Sequence, residues 1–343
     1  MQTQLQDDTE TQRALQARIF VDTTPWKNCV IEPLRVDVSI RRFFRVNNNG
    51  KTAVLMDARP PLEDTAVFEL IQKKMQKIGL TVPEIYALDT TLGFVLMEDF
   101  GDVRFYERVT QKTDDLNMLY GLATDVLVHK FKADPAIALE QSVAYSDEYW
   151  LFRIEQFLLH YMPHVLGRTP TETERADFLG LYKEALDGAH NFDKVLLHGD
   201  YGAQNIYYLP ERQGINKVGL IDFQDMTDAR GNMMGSPAFD LVFLLQDVRV
   251  ELPQGLEEAM RSRFIEKAGI NDVTGFTGEY AVIGAAQATK CLGLFARLGH
   301  VAGREEYLKF LPYCRRNMRE NLSHPALAKI KNWFDIQKID LNG

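Results

Sequence analysis

Apolar and polar positions alternate in short runs over much of the first hundred residues, then give way to a mostly helical spacing that one later block interrupts. Ahead of the alternating region, Thr9 to Phe20 carries Leu15 and Ile19 four apart among polar neighbours, which predicts a short amphipathic helix whose apolar face caps a lobe. From Cys29 onward short apolar runs interrupt polar ones, and Asp37 to Val46 reads as a strand pair joined by a polar turn. The Asn47-Asn-Asn-Gly50 turn signal then leads into a strand from Lys51 to Asp57. A helix from Leu62 to Ile78 follows, with two further strands at Thr81 to Tyr86 and Thr91 to Asp99; Phe100-Gly-Asp102 breaks the second.

Beyond Val103 the pattern predicts helices at Asp115 to Lys132 and Asp147 to Leu166, the latter with an apolar stripe of Trp150, Ile154, Phe157, Leu158 and Tyr161 that reads as core. Another, Thr171 to His190, opens on the capping pattern Thr171-Glu-Thr-Glu174. Between Val195 and Asp225 the strand pattern returns, with a turn at Pro210 to Gly214. Helices are then expected at Pro237 to Val248, Leu256 to Ala268, Gly278 to Leu298 and Arg304 to Arg319, with one more near Trp333.

A chain of 343 residues exceeds one typical domain, so two lobes sharing a cleft are expected. Its net charge of −9 leaves no basic stripe to offset nucleic-acid phosphates. Cys29, Cys291 and Cys314 lack the spacing of a disulfide framework or a zinc site. No apolar run reaches the roughly 20 residues of a membrane span, and the first residues are polar and acidic, so neither a membrane segment nor a signal peptide is expected. A reducing cytoplasm is the expected compartment, and the sequence leaves oligomeric state open.

The chemistry concentrates between Val195 and Asp225. Phosphoryl transfer needs a carboxylate to orient and deprotonate the attacking hydroxyl, and oxygen ligands to hold Mg²⁺ against nucleotide phosphates. In the protein-kinase arrangement a base Asp stands five residues before a Mg²⁺-binding Asn, and a second metal-binding Asp lies on the next hairpin. Asp200 and Asn205 have that spacing, and Asp222 follows the apolar strand Lys217 to Ile221. His-Gly-Asp alone is a common turn and Ile-Asp-Phe a common strand end; their ordered combination with Pro237-Ala-Phe-Asp240-Leu is what points to catalysis. Asp240, placed after Pro237 and before an apolar helix, reads as an N-cap. His160 and His164 lie four apart on one helix but lack the accompanying Glu of a His-Glu-x-x-His zinc motif, so they read as surface or core histidines.

The segment from His198 to Asp240 resembles the aminoglycoside phosphotransferase and choline kinase superfamily, whose signature is His-Gly-Asp-x-x-x-x-Asn, then Ile-Asp-Phe, then Pro-x-x-Asp-Leu. Leu-Pro-Glu-Arg-x-Gly, Val-Gly-Leu-Ile-Asp-Phe-Gln-Asp225 and Asp240 to Arg249 are similar, more narrowly, to the bacterial anomeric kinases of N-acetylmuramate and N-acetylglucosamine. The resemblance implies an α+β, two-lobed protein-kinase-like fold: a β-rich nucleotide-binding lobe over residues 1–100 and a helical catalytic and substrate lobe over residues 101–343. It implies ATP and Mg²⁺ as cofactors, a small amino-sugar acceptor phosphorylated at its anomeric hydroxyl, and a place in cell-wall recycling. Aminoglycoside, choline and homoserine are the other acceptors of this class.

The same resemblance distributes roles. Asp200 is the catalytic base, Asn205 and Asp222 hold the metal, His198 braces the catalytic loop, and Asp240 bonds to that loop's backbone. The anomeric kinases carry a segment similar to Asp37 to Arg45, which implies that Ser39, Arg41 and Arg42 hold phosphate oxygens; solvated arginines on an edge strand would look the same. Leu96, Met97 and Glu98 fall where a kinase's interlobe strand offers backbone groups to adenine. The strand from Lys51 to Asp57 ends on Met56-Asp57 rather than on the kinase lysine, as in the anomeric kinases, which leaves Arg41, Arg42, Arg45 and Lys51 as candidates for the phosphate contact. Glu63 and Glu69 are the candidates for its glutamate partner. Gln204, Gln224 and Asp225 flank the metal ligands and suit sugar hydroxyls, though solvated turn residues would share that pattern. A nucleotide-binding scaffold without catalysis is the competing class, favoured by the missing strand lysine and opposed by the intact Asp200, Asn205 and Asp222.

Overall fold

The computed structural model describes residues 2–34, 41–61, 64–112, 114–140, 142–189, 191–223, 227–228 and 231–342. The first third is built on a five-stranded sheet: β1 (Val30–Pro33), β2 (Arg42–Asn48), β3 (Lys51–Asp57), β4 (Ile85–Asp89) and β5 (Phe94–Glu98), in the order β1-β2-β3-β5-β4. The β2–β3 hairpin closes through Asn49 and Gly50, both at positive φ (53° and 89°), the turn that matches strand twist when Asn and Gly occupy it. Alternation along β3 sends its side chains to two different cores. Ala53 and Leu55 pack outward with Phe94 and Leu96 under helix α1 (Gln2–Asp22), whereas Met56 joins the main core through helix α2 (Thr65–Lys77).

Helix α1 covers the outer face of the sheet, but not with the predicted residues. Ala17, Phe20 and Val21 are buried, while Leu15 and Ile19 are 59% and 57% exposed. Orientation is set from the polar side: Arg13 donates from Nε and Nη2 to Asp57 Oδ1 at 2.9 and 2.6 Å and from Nη2 to the Leu92 carbonyl at 2.7 Å, and its guanidinium stacks 3.9 Å over Phe94. Satisfying the buried Asp57 carboxylate outweighs burying two aliphatics. The strand expected at Thr81 to Tyr86 begins instead at Ile85, because Thr81 bridges to Gly219 in a different sheet.

From Phe105 onward the chain is mostly helical. The helix Leu116–Phe131 starts on the Asp115 side chain, and Thr171 and Glu174 form the expected reciprocal capping box, at 2.7 and 3.2 Å. Trp150, Ile154, Phe157, Leu158 and Tyr161 are all buried, as their stripe predicts. The long helix Val273–Ala296 packs against the helices Asp147–Gln156, Ala238–Leu245 and Leu311–Leu322. The main core continues from the inner face of the sheet into these helices, and Phe68 of α2 stacks on Phe223 with ring centres 5.1 Å apart. A β-sheet amino-terminal region and a helix-rich remainder thus meet at the segment that carries Asp222.

Candidate active site

The segment His198 to Asn205 is a tight turn held from below. Gly199 has φ +87°, a conformation that Cβ penalises, so glycine is required between His198 and Asp200. The backbone N–H groups of His198 and Gly199 donate to the two oxygens of Asp240, each at 2.9 Å. Asp240 also pairs with Lys130, both side chains being buried. Burial alone would push the Asp240 carboxyl up; Lys130, His198 and these hydrogen bonds outweigh it and hold the pKa below its usual value. The N-cap reading of Asp240 is corrected: helix Ala238–Leu245 begins after Pro237, so Asp240 sits in its first turn and faces the catalytic loop.

His198 donates from Nε2 to the Ile221 carbonyl at 2.9 Å and accepts from the Asp200 N–H at Nδ1, 3.4 Å away. Those partners fix the neutral Nε2–H tautomer, and burial lowers its pKa in the same sense. The ring therefore joins the strand leading to Asp222 to the turn carrying Asp200. Asn205 completes the arrangement: Nδ2 donates to the Asp200 carboxylate and the Asp200 carbonyl, both at 2.9 Å, and the Asn205 carbonyl accepts from Ile221 N–H at 3.1 Å. This leaves Asn205 Oδ1 as the amide's acceptor atom. Asp222, at φ +60°, turns its carboxylate toward Arg41, whose Nη2 lies 2.8 Å from Oδ1. The structure thus gathers Asp200, Asn205, Asp222, His198, Asp240 and Arg41.

Other candidates go elsewhere. Arg42 points to the outer face of the sheet, where it pairs with Glu10. Arg45 bonds to Asp99 and Asp102, fixing the interlobe link, and Lys51 is exposed at the far end of its hairpin. Glu69 pairs with Lys73 on the surface of α2. Leu96 and Met97 are aligned with strands on both sides, the Glu98 N–H donates to the Glu84 carbonyl, and the Glu98 carboxylate pairs with Arg212. The backbone clear of the sheet therefore starts at Asp99. Gln204 is half-buried on the turn before Asn205. Ser39, Glu63, His190, Gln224 and Asp225 lie outside the described residues. The parallel rings of His160 and His164, 6.4 Å apart, extend to His300 at 5.9 Å, but among the described residues no cluster of three ligating side chains is placed to hold a metal.

Sequence reasoning missed two supports. Lys130 lies in the last turn of the helix Leu116–Phe131, next to His129, and basic residues in a last turn ordinarily signal only a solvated cap. Asp247 accepts from Ala203 N–H at 3.2 Å and Arg249 N–H at 3.0 Å; burial pushes its carboxyl up. Its distance in sequence from the turn hides that contact.

Hard oxygen donors of Asn205 and Asp222, the latter already facing a cation, fit Mg²⁺. A carboxylate on a rigid turn beside them fits proton acceptance from an attacking hydroxyl. The sequence pattern of the phosphotransferase enzyme family matches residues 30–275. A protein of Pseudomonas putida named N-acetylmuramate/N-acetylglucosamine kinase is 30% identical over 301 residues, covering 86% of this chain and 84% of its own. Its namesake from Caulobacter vibrioides is 26% identical over 336 residues, 89% and 91% of the two chains. Among solved structures, a choline/ethanolamine kinase family protein of Mesorhizobium loti superposes with a TM-score of 0.58 at 14% identity, covering 94% of this chain and 99% of its own. That likeness shows the protein-kinase-like fold. With the match running through the whole five-stranded sheet and the segment from His198 to Asp240, the chain belongs to the phosphotransferase enzyme family and transfers a phosphoryl group to a hydroxyl.

Proposed function

We propose that the chain is an ATP- and Mg²⁺-dependent kinase of the anomeric hydroxyl of N-acetylmuramate and N-acetylglucosamine, acting in cell-wall recycling in the cytoplasm. The observation that carries this reading is the hydrogen-bonded unit of Asp200, Asn205 and the Asp222 strand, found in a chain whose relatives bear that kinase name. Residues 1–100 bind the nucleotide and residues 101–343 supply the catalytic loop and acceptor pocket. Asn205 and Asp222 would hold Mg²⁺, which neutralises charge on the phosphates. Asp200 orients the acceptor hydroxyl and takes its proton as the new O–P bond forms and the bond to the departing diphosphate breaks. Arg41 takes the place of the strand lysine: it is 6% exposed and reaches Asp222, whereas the inward positions of β3, Val54 and Met56, are apolar. On the sequence pattern, Gln204, Gln224 and Asp225 are the residues assigned to acceptor recognition. Among the described residues no helix is long and apolar enough to cross a membrane.

The hemiacetal hydroxyl at C1 is more acidic than the sugar's other hydroxyls, so one carboxylate suffices for late deprotonation in a loose transition state. Incubation of either amino sugar with ATP and Mg²⁺ should yield a non-reducing product whose phosphorus resonance couples to H1. Phosphate on C6, or turnover of choline or an aminoglycoside with neither sugar used, would refute the assignment. A second expectation concerns the metal. Asp222→Ala should abolish the Mg²⁺-dependent part of nucleotide binding and Asn205→Ala should weaken it, since each removes a hard ligand; calorimetric titrations with and without Mg²⁺ read this directly. Unchanged metal dependence in both variants would dismiss the site.

A further inference from the structure

One helix, Ala238–Leu245, carries a carboxylate at each end, and both reach the catalytic turn. Asp240, in its first turn, takes the N–H groups of His198 and Gly199 where that turn begins; Asp247, just past the C-cap Gln246, takes one where it ends. The end is the 3₁₀ segment Ala203–Asn205, whose N-cap residue, Gly202, has no side chain to offer. A helical start leaves backbone N–H groups without partners inside the segment, and a side-chain oxygen of the N-cap residue ordinarily meets one of them. Here that oxygen comes from Asp247, whose Oδ2 accepts from Ala203 N–H at 3.2 Å. Gly202 stands at φ −96° and ψ 166°, extended backbone that any residue adopts, so its conformation does not call for glycine. The close approach does: a Cβ at this position would lie 3.0 Å from Asp247 Oδ2, against the capping carboxylate.

Asp247 is itself held from behind. Its side chain is buried, and Oδ1 accepts from Arg249 N–H at 3.0 Å, so each oxygen faces a backbone donor. The preceding residue is tied to the helix Leu311–Leu322: the Gln246 carbonyl accepts from Asn317 Nδ2 and its Oε1 from Asn321 Nδ2, each at 2.9 Å. Asn321 Nδ2 also donates to the Asn317 carbonyl at 2.8 Å, and all three amide side chains are buried. A continuous path therefore runs from that helix through Gln246 and Asp247 to Ala203. Beyond Ala203 it enters the site. Asn205 N–H donates to the Gly202 carbonyl at 3.0 Å, Gly202 N–H donates to the Asp200 carbonyl at 2.8 Å, and Asn205 Nδ2 closes onto the Asp200 carboxylate at 2.9 Å.

Resting on the assignment of Asn205 to the metal and Asp200 to the acceptor hydroxyl, we infer that Asp247 is a positioning residue for phosphoryl transfer. It supplies the cap that Gly202 lacks, and so seats the turn with Asn205 toward the metal and Asp200 toward the acceptor. In this role Asp247 touches neither substrate. An acceptor-only carboxylate suits it because both oxygens face N–H groups, whereas an amide would turn its NH₂ toward one of them.

The experiment compares the wild-type chain with Asp247→Ala, Asp247→Asn, Gly202→Ala and the double variant Gly202→Ala/Asp247→Ala. It reads kcat with N-acetylglucosamine and ATP, and calorimetric affinity for the Mg²⁺-nucleotide, at a temperature where each variant is folded. Asp247→Ala should lower kcat and Mg²⁺-nucleotide affinity about 10- to 100-fold, the usual cost of removing a group that orients a metal ligand. Asp247→Asn, which keeps one acceptor oxygen, should lose less. Gly202→Ala should impair the wild-type background, because its Cβ displaces the carboxylate, and should add nothing to Asp247→Ala, where the displaced atom is gone. Asp247→Asn and Gly202→Ala carry the comparison if Asp247→Ala does not fold. Variants that lose thermal stability but keep the kcat and Mg²⁺-nucleotide affinity of the wild type would overturn the role, as would additive effects of the two alanine substitutions. If Asn205→Ala leaves the Mg²⁺ dependence unchanged, the metal assignment falls and this role falls with it. If N-acetylglucosamine is not phosphorylated, the choice of acceptor fails, and nucleotide binding still decides the role of Asp247.

Discussion

Asp200→Asn should lower kcat by about 10²- to 10⁴-fold, the usual contribution of a positioned general base, while nucleotide affinity stays close to that of the wild type. The substitution preserves shape. The Asp200 N–H can still donate to His198 Nδ1, and the new amide can still offer an oxygen to Asn205 Nδ2. In that orientation its NH₂ group faces the acceptor, where it can donate a hydrogen bond but cannot take a proton. Binding of the nucleotide is assigned to Asn205, Asp222 and Arg41, so calorimetric Kd for the Mg²⁺-nucleotide should scarcely move. A near-wild-type kcat would remove Asp200 from the base role. A large loss of nucleotide affinity would place it among the metal ligands instead. Asp222→Ala provides the contrast, with binding lost along with turnover.

Lys130→Met should destabilise the fold by about 3–5 kcal/mol, the cost of leaving one member of a buried ion pair without its partner. Asp240 would keep its two N–H donors from His198 and Gly199 but lose the ammonium it pairs with, its side chain being 1% exposed. Urea or thermal unfolding at neutral pH should register the loss, and the double variant Lys130→Met/Asp240→Asn should recover part of it because no buried charge remains. The pH dependence has a defined sign. In the wild-type chain the Asp240 pKa is depressed, so its contribution to stability is present above the unfolded carboxylate pKa and is lost as pH falls through the folded value. In Lys130→Met burial dominates and raises that pKa, so the penalty is greatest at neutral pH and shrinks as Asp240 protonates. The gap between wild type and variant should therefore narrow on acidification. A gap that widened, or a variant as stable as the wild type, would contradict the assigned pairing.

The arrangement of Asp200, Asn205 and Asp222 was legible because the chemistry proposed for it imposes spacing. A turn that returns an Asn amide to the carboxylate five residues earlier, then a short hairpin to a second Asp, fixes residue types and intervals at once. Supports were less legible, because they depend on which face of an element is turned inward. Arg41 and Arg42 are neighbours, yet one reaches Asp222 and the other Glu10; the sequence names the pair without saying which faces the cleft. Helix α1 shows the same limit. Two aliphatics four apart predicted its buried face, but the guanidinium of Arg13 has to reach Asp57, and that rotates Leu15 and Ile19 into solvent. Lys130 and Asp240, 110 positions apart, left no local trace of their pairing.

The position of α1 has a consequence for where this enzyme can be cut. The family pattern starts at residue 30, whereas the sheet's outer core is closed by Ala17, Phe20 and Val21. A fragment trimmed to the matched boundary would retain every residue assigned to phosphoryl transfer. It would also present Val46, Leu55, Phe94 and Leu96 to water as a bare apolar sheet face and leave Asp57 without Arg13. In this chain the borders of inherited chemistry and the borders of an independently soluble unit do not coincide: the amino-terminal helix belongs to the second but not to the first.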